Sequence, residues 1–295
     1  MSLDAAIYNE ARLARIAAEA VGGWTTSVFS SRTITFTQTG KLAISMVGSG
    51  GGGAAAAGGA QSSATGGNSG PWGRKVIDIS AGDVLVVNIG AGGLKSAGYS
   101  ANGNQGGTST VTLNGVTILT IQGGEGGVFA NLTATASSTV PAATITGADF
   151  WVAGVRAGSA QCTSGTSPSC SGGAAVDILR SGLGKSPAAV GAGITGVGGS
   201  VGTDSGGIPI PWIALMEWGF VITDGASATA ALGSPGRGGV SGTIASGALA
   251  GGGANSATVS TVNGGIGAGG GGGDHPPNAG NGGPAYAFLA FASLS

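Results

Sequence analysis

Glycine is the residue that most constrains this chain, because it occupies 65 of the 295 positions. Ordinary proteins contain roughly 7% glycine. Glycine loses more conformational freedom on folding than any other residue, so a folded chain of this kind needs a compensating interaction. Because glycine lacks a Cβ atom, extended segments can lie side by side and hydrogen-bond laterally. We therefore expect backbone packed closely against backbone, although the strict three-residue repeat of collagen is absent.

Charge is scarce in this sequence. Charged residues make up 8% of the chain, the net charge is −1, and the 11 Lys and Arg residues are scattered. Nucleic acids and anionic membrane surfaces bind clustered cations, so we expect neither partner. The apolar stretch 208–222 is too short to span a bilayer, and we expect no membrane insertion. So little charge also gives little electrostatic solubilisation, which favours a protein that lives in an assembly.

Residues 3–21 have the periodicity of an amphipathic helix that ends before Gly22-Gly23. We expect an N-terminal α-helix that either lies on its own domain or anchors the protein in a larger assembly. Its candidate anchoring residues are Leu3, Ile7, Leu13 and Ile16.

Beyond Trp24 the helical period gives way to the alternation of β-strands. The stretch up to residue 48 is rich in Thr, Val, Ile and Phe and is broken at Thr39-Gly40, which predicts a hairpin or two consecutive strands. Two further strands are expected around the turn 80–83, and Asn114-Gly115 is a strong hairpin signal. The ending "PAYAFLAFASLS" predicts a final strand inside a sheet.

Glycine-rich stretches alternate with these predicted strands. Such tracts often form flexible linkers, but their alternation with strands favours ordered packing here. The expected division is an N-terminal helix (1–22), a glycine-rich β domain (23–127), an irregular inserted lobe (128–232), and a glycine-rich segment with the closing strand (233–295).

The order of these features resembles the glycine-rich domain of phage tail, tail-fibre and tail-tip proteins. The resemblance rests on "SMVGSGGGGAAAAGG", "GPWG", "ISAGDVLVVNIGAGG", "GNQGGTSTVTLNG", "IQGGEGG" and "GIGAGGGGGDHPPNAGNGGPAYAFLAF". It covers 33–127 and 233–291, and "AGDVLVVNIGAGG" is its most specific part. The lobe 128–232 departs from the family pattern, which leaves open where a recognition surface would lie.

The resemblance implies a β-rich domain whose glycine tracts run as polyglycine-II-like segments in a layered sandwich, with recognition loops at its tip. The expected fold is mainly β: an N-terminal α-helix followed by a glycine-rich β-sandwich-like domain with extended polyglycine-II-like segments. A homotrimer located in the virion and made in the host cytoplasm is implied. The helix would bind other tail or baseplate proteins, and the loops would bind a bacterial surface protein or glycan.

Residues suited to catalysis are few. His275 is the only histidine, too little for a His-rich metal site, and a Ser-His-Asp triad would have to use it. The acidic residues are spread out and suggest no glycosidase pair. "GLGKS" at 182–186 lacks the first glycine of a phosphate-binding loop, where this chain has Leu179. We expect no enzyme activity, no metal and no cofactor.

Candidate interface residues lie in the longest apolar stretch and in the last glycine run. Exposed apolar patches mark interfaces, and loops on a rigid scaffold are usual places for recognition. The candidates are Trp212, Trp218, Phe220, Asp274 and His275. Cys162 and Cys170 either form a disulfide across a short loop or remain reduced thiols, and the sequence leaves both open.

The expected function is a non-enzymatic host-receptor-binding adhesin of a phage tail fibre or tail tip. The alternative is a purely structural baseplate or fibre component that binds nothing on the host. A third possibility, outside phage, is a glycine-rich bacterial surface protein or an ice-binding protein. Ice binding is disfavoured, because it would need flat, regularly repeated glycine triplets and these runs are irregular.

Overall fold

The protein is known from a computed structural model that describes part of the chain. The described residues are 23–56, 62–131, 135–136, 144–154, 157, 160–161, 263–273 and 279–294.

The described chain is mainly β, with two antiparallel five-stranded sheets and no helix within those ranges. The fold prediction that placed an N-terminal α-helix before the β domain is corrected accordingly. Periodicity in one short segment is a weak basis for a helix, because most helical stability comes from tertiary packing. The candidate anchors Leu3, Ile7, Leu13 and Ile16 lie outside the described residues.

The first sheet contains the last strand of the chain in its interior, as the sequence predicted. In sheet order its strands are β1 (Trp24–Val28), β14 (Tyr286–Ser293), β3 (Gly40–Val47), β5 (Trp72–Ile79) and β12 (Phe150–Val152). Strand β14 pairs with β1 on one side and with β3 on the other, where Leu289 lies opposite Ile44.

The second sheet contains the predicted Asn114-Gly115 hairpin, in which both turn residues have a positive φ. In sheet order its strands are β11 (Ile145–Thr146), β8 (Val116–Ile121), β7 (Ser109–Leu113), β6 (Val84–Asn88) and β2 (Arg32–Thr35). The predicted break at Thr39-Gly40 joins β2 to β3 across the two sheets, so the hairpin interpretation there is wrong. The turn 80–83 likewise carries the chain from β5 in one sheet to β6 in the other.

The two sheets pack face to face around one apolar core. Apolar side chains alternate along each strand, so one face of each sheet is buried. The core includes Leu42, Ile44 and Met46 of β3, Leu289 and Phe291 of β14, Leu85 and Val87 of β6, Val111 of β7, and Leu119 and Ile121 of β8. The fold is therefore a β-sandwich in which strands from both ends of the described chain share one core.

Extended glycine-rich segments continue from one end of the sandwich and form a second layer of the molecule, here called the bundle. Segment 48–56, which follows β3, lies at its centre and hydrogen-bonds to six other segments. The six are 65–70, 90–96, 101–107, 122–128, 267–273 and 279–285.

The hydrogen bonds of the central segment change direction with a three-residue repeat. Consecutive N–H groups donate to three different neighbours, and the fourth returns to the first. The bonds are Gly50 to Gly283, Gly51 to Asn68, Gly52 to Asn104, and Gly53 to Gly280, with N···O distances of 2.9, 2.9, 2.9 and 2.8 Å.

The carbonyl groups of the same segment accept from the other three neighbours on the same repeat: Ser49 and Gly52 from 122–128, Gly50 and Gly53 from 90–96, and Gly51 and Ala54 from 267–273. Three residues per turn is the repeat of an extended left-handed helix of the polyproline type.

The six outer segments also bond to one another and close a ring. Around the ring the bonds include Asn104 N–H to Leu94, Gly103 to Gly127, Asn68 to Glu125, Gly67 to Gly270, Gly280 to Gly271, and Gly282 to Gly93. The buried backbone of the bundle thus finds its partners between segments rather than within them, as buried polar groups must.

Glycine is required in the bundle because neighbouring backbones leave no room for a Cβ atom. At Gly52 an added Cβ would overlap the carbonyl group of Leu94, and at Gly53 it would overlap that of Gly271. Ala54, by contrast, is tolerated at the outer end of the central segment, where it packs with Ala64 and Phe129. The density of glycine in the sequence is therefore a packing requirement.

At the end of the sandwich opposite the bundle, a polar cluster holds two turns together. The side chain of Asn114 donates to Asp83 Oδ1 (2.8 Å) and accepts from the N–H of Val84 (2.9 Å). The backbone N–H of Ser80 donates to Asp83 Oδ2 (2.8 Å). The Asn114 and Ser80 hydrogen bonds lower the pKa of Asp83 below its ordinary value.

Gly52→Ala is expected to lower the free energy of unfolding by about 3 kcal/mol or more, because the new methyl group meets a fixed carbonyl group. Gly98→Ala is the matched control, since a Cβ there meets nothing within 4 Å, and its effect should lie within about 1 kcal/mol of zero. Denaturant unfolding measures both. Equal stability of the two variants would show that close backbone packing does not hold the bundle.

Asn114→Gly is expected to raise the pKa of Asp83 towards its ordinary value, because the Asn114 hydrogen bond that contributes most to lowering it is removed while the positive φ is kept. A depressed carboxyl pKa contributes stability above the unfolded pKa and loses it as the pH falls through the folded value. A carbon-detected NMR titration of Asp83 measures the shift. Asn88→Ala, in the same sheet but bonded to Thr110, should leave the titration unchanged.

Candidate functional site

The two ends of the molecule carry different turns and strands. The outer end of the bundle, here called the tip, carries the turn 97–100 and the short paired strands β4 (Ser62–Ala64) and β9 (Phe129–Asn131). Beside them lie β10 (Thr135–Ala136) and β13 (Ala160–Gln161), which pair with each other. The opposite end, here called the base, carries the turns 80–83 and 114–115.

The described chain enters and ends at the base. Gly23 precedes Trp24, which pairs with Phe291 near the end of β14. The N–H of Leu294 donates to the carbonyl of Thr39 (2.9 Å), in the turn between β2 and β3. The tip is therefore separated from both points by the whole length of the sandwich and the bundle.

One flank of the bundle is open to solvent. In segment 90–96 every third residue, including Gly93 and Ser96, faces the buried centre, whereas Ala91 and Leu94 are exposed. Leu94 is 62% exposed, and Tyr99 in the following turn is 61% exposed. This flank and its turn thus present large apolar side chains on an ordered backbone.

Another flank is covered by the chain itself. Residues 65–70 are buried throughout, including the polar side chains of Asn68 and Ser69. Gly154 lies so close to Ser69 that a Cβ would overlap its carbonyl oxygen, and the N–H of Ala157 donates to Asn68 Oδ1 (2.8 Å). The open flank at 90–107 is therefore the side of the bundle that the described chain leaves accessible.

Side-chain hydrogen bonds to the backbone fix the chain near the tip. Asn102 Oδ1 accepts from the N–H of Phe129 (2.8 Å), and Ser96 Oγ donates to the carbonyl of Gly98 (2.7 Å). Asn281 Oδ1 accepts from the N–H of Lys95 (2.9 Å). A surface fixed in this way loses little entropy when a partner binds.

The residues that the sequence singled out as candidate contacts lie outside the described residues. They are Trp212, Trp218, Phe220, Asp274 and His275, together with Cys162 and Cys170. The described neighbours of Asp274 and His275 in the chain are informative, because the N–H of Gly273 bonds to Ala54 near the tip, and Gly280 bonds to Gly53. The last glycine run therefore passes through the tip region on both sides of 274–278.

Leu94 and Tyr99 were missed by sequence reasoning. Their signal is the pair of bulky residues in "AGGLKSAGYSANG", which stand out in a stretch of small residues. Only the three-residue packing of the bundle shows that Leu94 points outward, because alternation rules for strands and helices do not apply to it.

The described ranges contain neither a metal-binding cluster nor a membrane-spanning helix. No group of three or more His, Cys, Asp or Glu residues there is placed to hold a metal ion. In the same ranges no helix has the length and apolar character that a bilayer crossing would need.

The chain matches the model of a family described as a glycine-rich domain, over residues 25–291. The match covers both sheets and the bundle, and the chain belongs to this family. A search of curated proteins found no match.

Leu94→Ala is expected to change the free energy of unfolding by less than about 0.5 kcal/mol, because the side chain is largely exposed. Leu42→Ala, in the core, should cost roughly 2–5 kcal/mol. Thermal unfolding of the two variants distinguishes a surface side chain from a structural one. A large loss from Leu94→Ala would show that Leu94 supports the bundle.

Proposed function

We propose that this protein is a non-enzymatic recognition module of a phage tail fibre or tail tip, whose tip binds a protein or glycan on the bacterial surface. The observation that carries the proposal is the exposure of Leu94 and Tyr99 on an ordered turn and flank at the end farthest from the base. The order of glycine runs and strands, which resembles that of phage tail proteins, supports the same function.

The bundle supports this function physically. Each segment of the bundle is hydrogen-bonded to several neighbouring segments, so the residues that flank its turns are held in place. Recognition residues are usually found on loops that a rigid scaffold positions. Exposed Tyr and Leu side chains at such a place are suited to fill pockets of a partner, and Tyr is enriched among residues that dominate binding energy.

The base supports attachment to the rest of a virion. Gly23 and Leu294 lie there, so a partner protein bound at this end would leave the tip unobstructed. Binding to other tail or baseplate proteins at the base, assembly as a homotrimer, and location in the virion remain predictions that accompany the proposal.

The double variant Leu94→Ser/Tyr99→Ser is expected to lower binding to cells of the phage host by about tenfold or more, because two exposed contact side chains are lost. Fluorescently labelled full-length protein and flow cytometry give the binding curve. The same variant should lose its ability to compete with phage adsorption.

The matched control is Val116→Ser, which removes a side chain that is 66% exposed at the base. This variant should bind host cells like the unsubstituted protein. Failure of folded, unsubstituted protein to bind any host cell would contradict the adhesin proposal and favour the purely structural virion component. Binding that survives the tip substitution would move the recognition surface away from 90–107.

A further inference from the structure

The sandwich has an open side that differs from both the tip and the base. Between the edge strands β1 and β2 lies a cleft of about 190 Å³. Its floor is formed by Trp24, Phe36 and Phe291, and Thr26, Arg32 and Gln38 are among its polar lining residues.

The floor of the cleft is a packed aromatic cluster. The Trp24 ring stacks on Phe36 with centroids 5.9 Å apart and on Phe291 with centroids 5.6 Å apart, at interplanar angles of 21° and 28°. Phe36 and Phe291 are buried, whereas Trp24 is half-buried. The indole of Trp24 is thus the most accessible of the three rings, and it offers a flat apolar face to a ligand.

Arg32 lies at the same cleft and faces between the sheets. It pairs across the sheet with Val87, a core residue, so both side chains project from the same face. Within the described residues its guanidinium donates to Thr26 Oγ1, at 3.3 Å. No carboxylate of the described part of the chain lies within ion-pair distance of Arg32.

The other cation that faces between the sheets is provided with a carboxylate. Lys75 pairs with the core residue Ile44, close to the opposite edge of the sandwich. Its Nζ donates to the carbonyl of Gly147 (2.6 Å) and lies 3.7 Å from Asp149 Oδ1. One edge of the sandwich therefore supplies its own anion, whereas no described residue supplies one at the edge with the aromatic cleft.

We propose that the cleft binds the ring of an acidic sugar, a pyranose that carries a carboxylate. The apolar face of the ring lies on Trp24, and the carboxylate accepts hydrogen bonds from Arg32, whose planar fork matches it. The ring hydroxyl groups meet the hydroxyl of Thr26 and the amide of Gln38, which can both donate and accept. A cleft of about 190 Å³ is smaller than the 300–1,000 Å³ of sites for drug-sized ligands, so it takes one ring.

An aromatic acid fits the same cleft less well. It would contact Trp24 and Arg32 but would form no hydrogen bonds with the hydroxyl of Thr26 or the amide of Gln38. Sites with a few convergent polar groups owe their selectivity to such groups. The site shares no residue with the tip, and its test needs no host cells.

The test is a titration of the full-length protein with sodium D-glucuronate, in which binding is measured by calorimetry and by saturation-transfer NMR. Saturable one-to-one binding is expected, with D-glucose bound about tenfold more weakly because it lacks the carboxylate. Arg32→Gln should weaken glucuronate binding by about tenfold and reduce its dependence on salt. Arg74→Gln is the matched control, because Arg74 is also exposed but projects from the other face of the first sheet.

Absence of saturable binding in the millimolar range overturns the proposal. So does equal binding of glucose and glucuronate, tighter binding of benzoate than of glucuronate, or an unchanged affinity in Arg32→Gln. The variant Leu94→Ser/Tyr99→Ser should bind glucuronate normally, so failure of the acidic-sugar site and failure of the tip adhesin are observed separately.

Discussion

Hydrogen bonding between closely packed glycine backbones is the interaction on which the rest of the structure depends. Segment 48–56 bonds to six neighbours with a three-residue repeat, and each neighbour bonds to the next around the ring. No intrasegment ladder of the α-helical kind contributes. Since the conformational entropy lost by so many glycines is large, this arrangement is stable only when all the segments pack together.

The sandwich and the bundle depend on each other through chain continuity. Segment 48–56 continues directly from β3, and 279–285 leads directly into β14. The apolar core therefore fixes the positions at which glycine segments leave one end of the sheets, and the bundle extends that order to the tip. A tip held in this way carries Leu94 and Tyr99 without burying them.

The two edges of the sandwich differ in the groups that surround their inward-facing cations. At one edge Lys75 donates a hydrogen bond to the carbonyl of Gly147 and lies beside the carboxylate of Asp149, which supplies the opposite charge. At the other edge Arg32 lies beside exposed polar groups and the indole of Trp24, with no carboxylate from the described chain. An inward-facing cation beside an aromatic ring, with no anion from the described residues, is suited to an external acidic ligand.

The sequence by itself determined the need for close backbone packing, the strands around the turn 80–83, the Asn114-Gly115 hairpin and the interior place of the last strand, because these follow from residue type and short-range periodicity. It did not predict the short strands β4 and β9 to β13. It did not determine which sheet each strand joins, because alternation assigns each side chain to one face of a sheet but does not choose the neighbouring strand. Strands β2 and β3, which are consecutive in the chain but lie in different sheets, show this. Tertiary structure alone decided that Leu94 and Tyr99 are exposed on the open flank and its turn, and that Arg32 and Trp24 line the same cleft, because these placements depend on contacts between segments far apart in the chain.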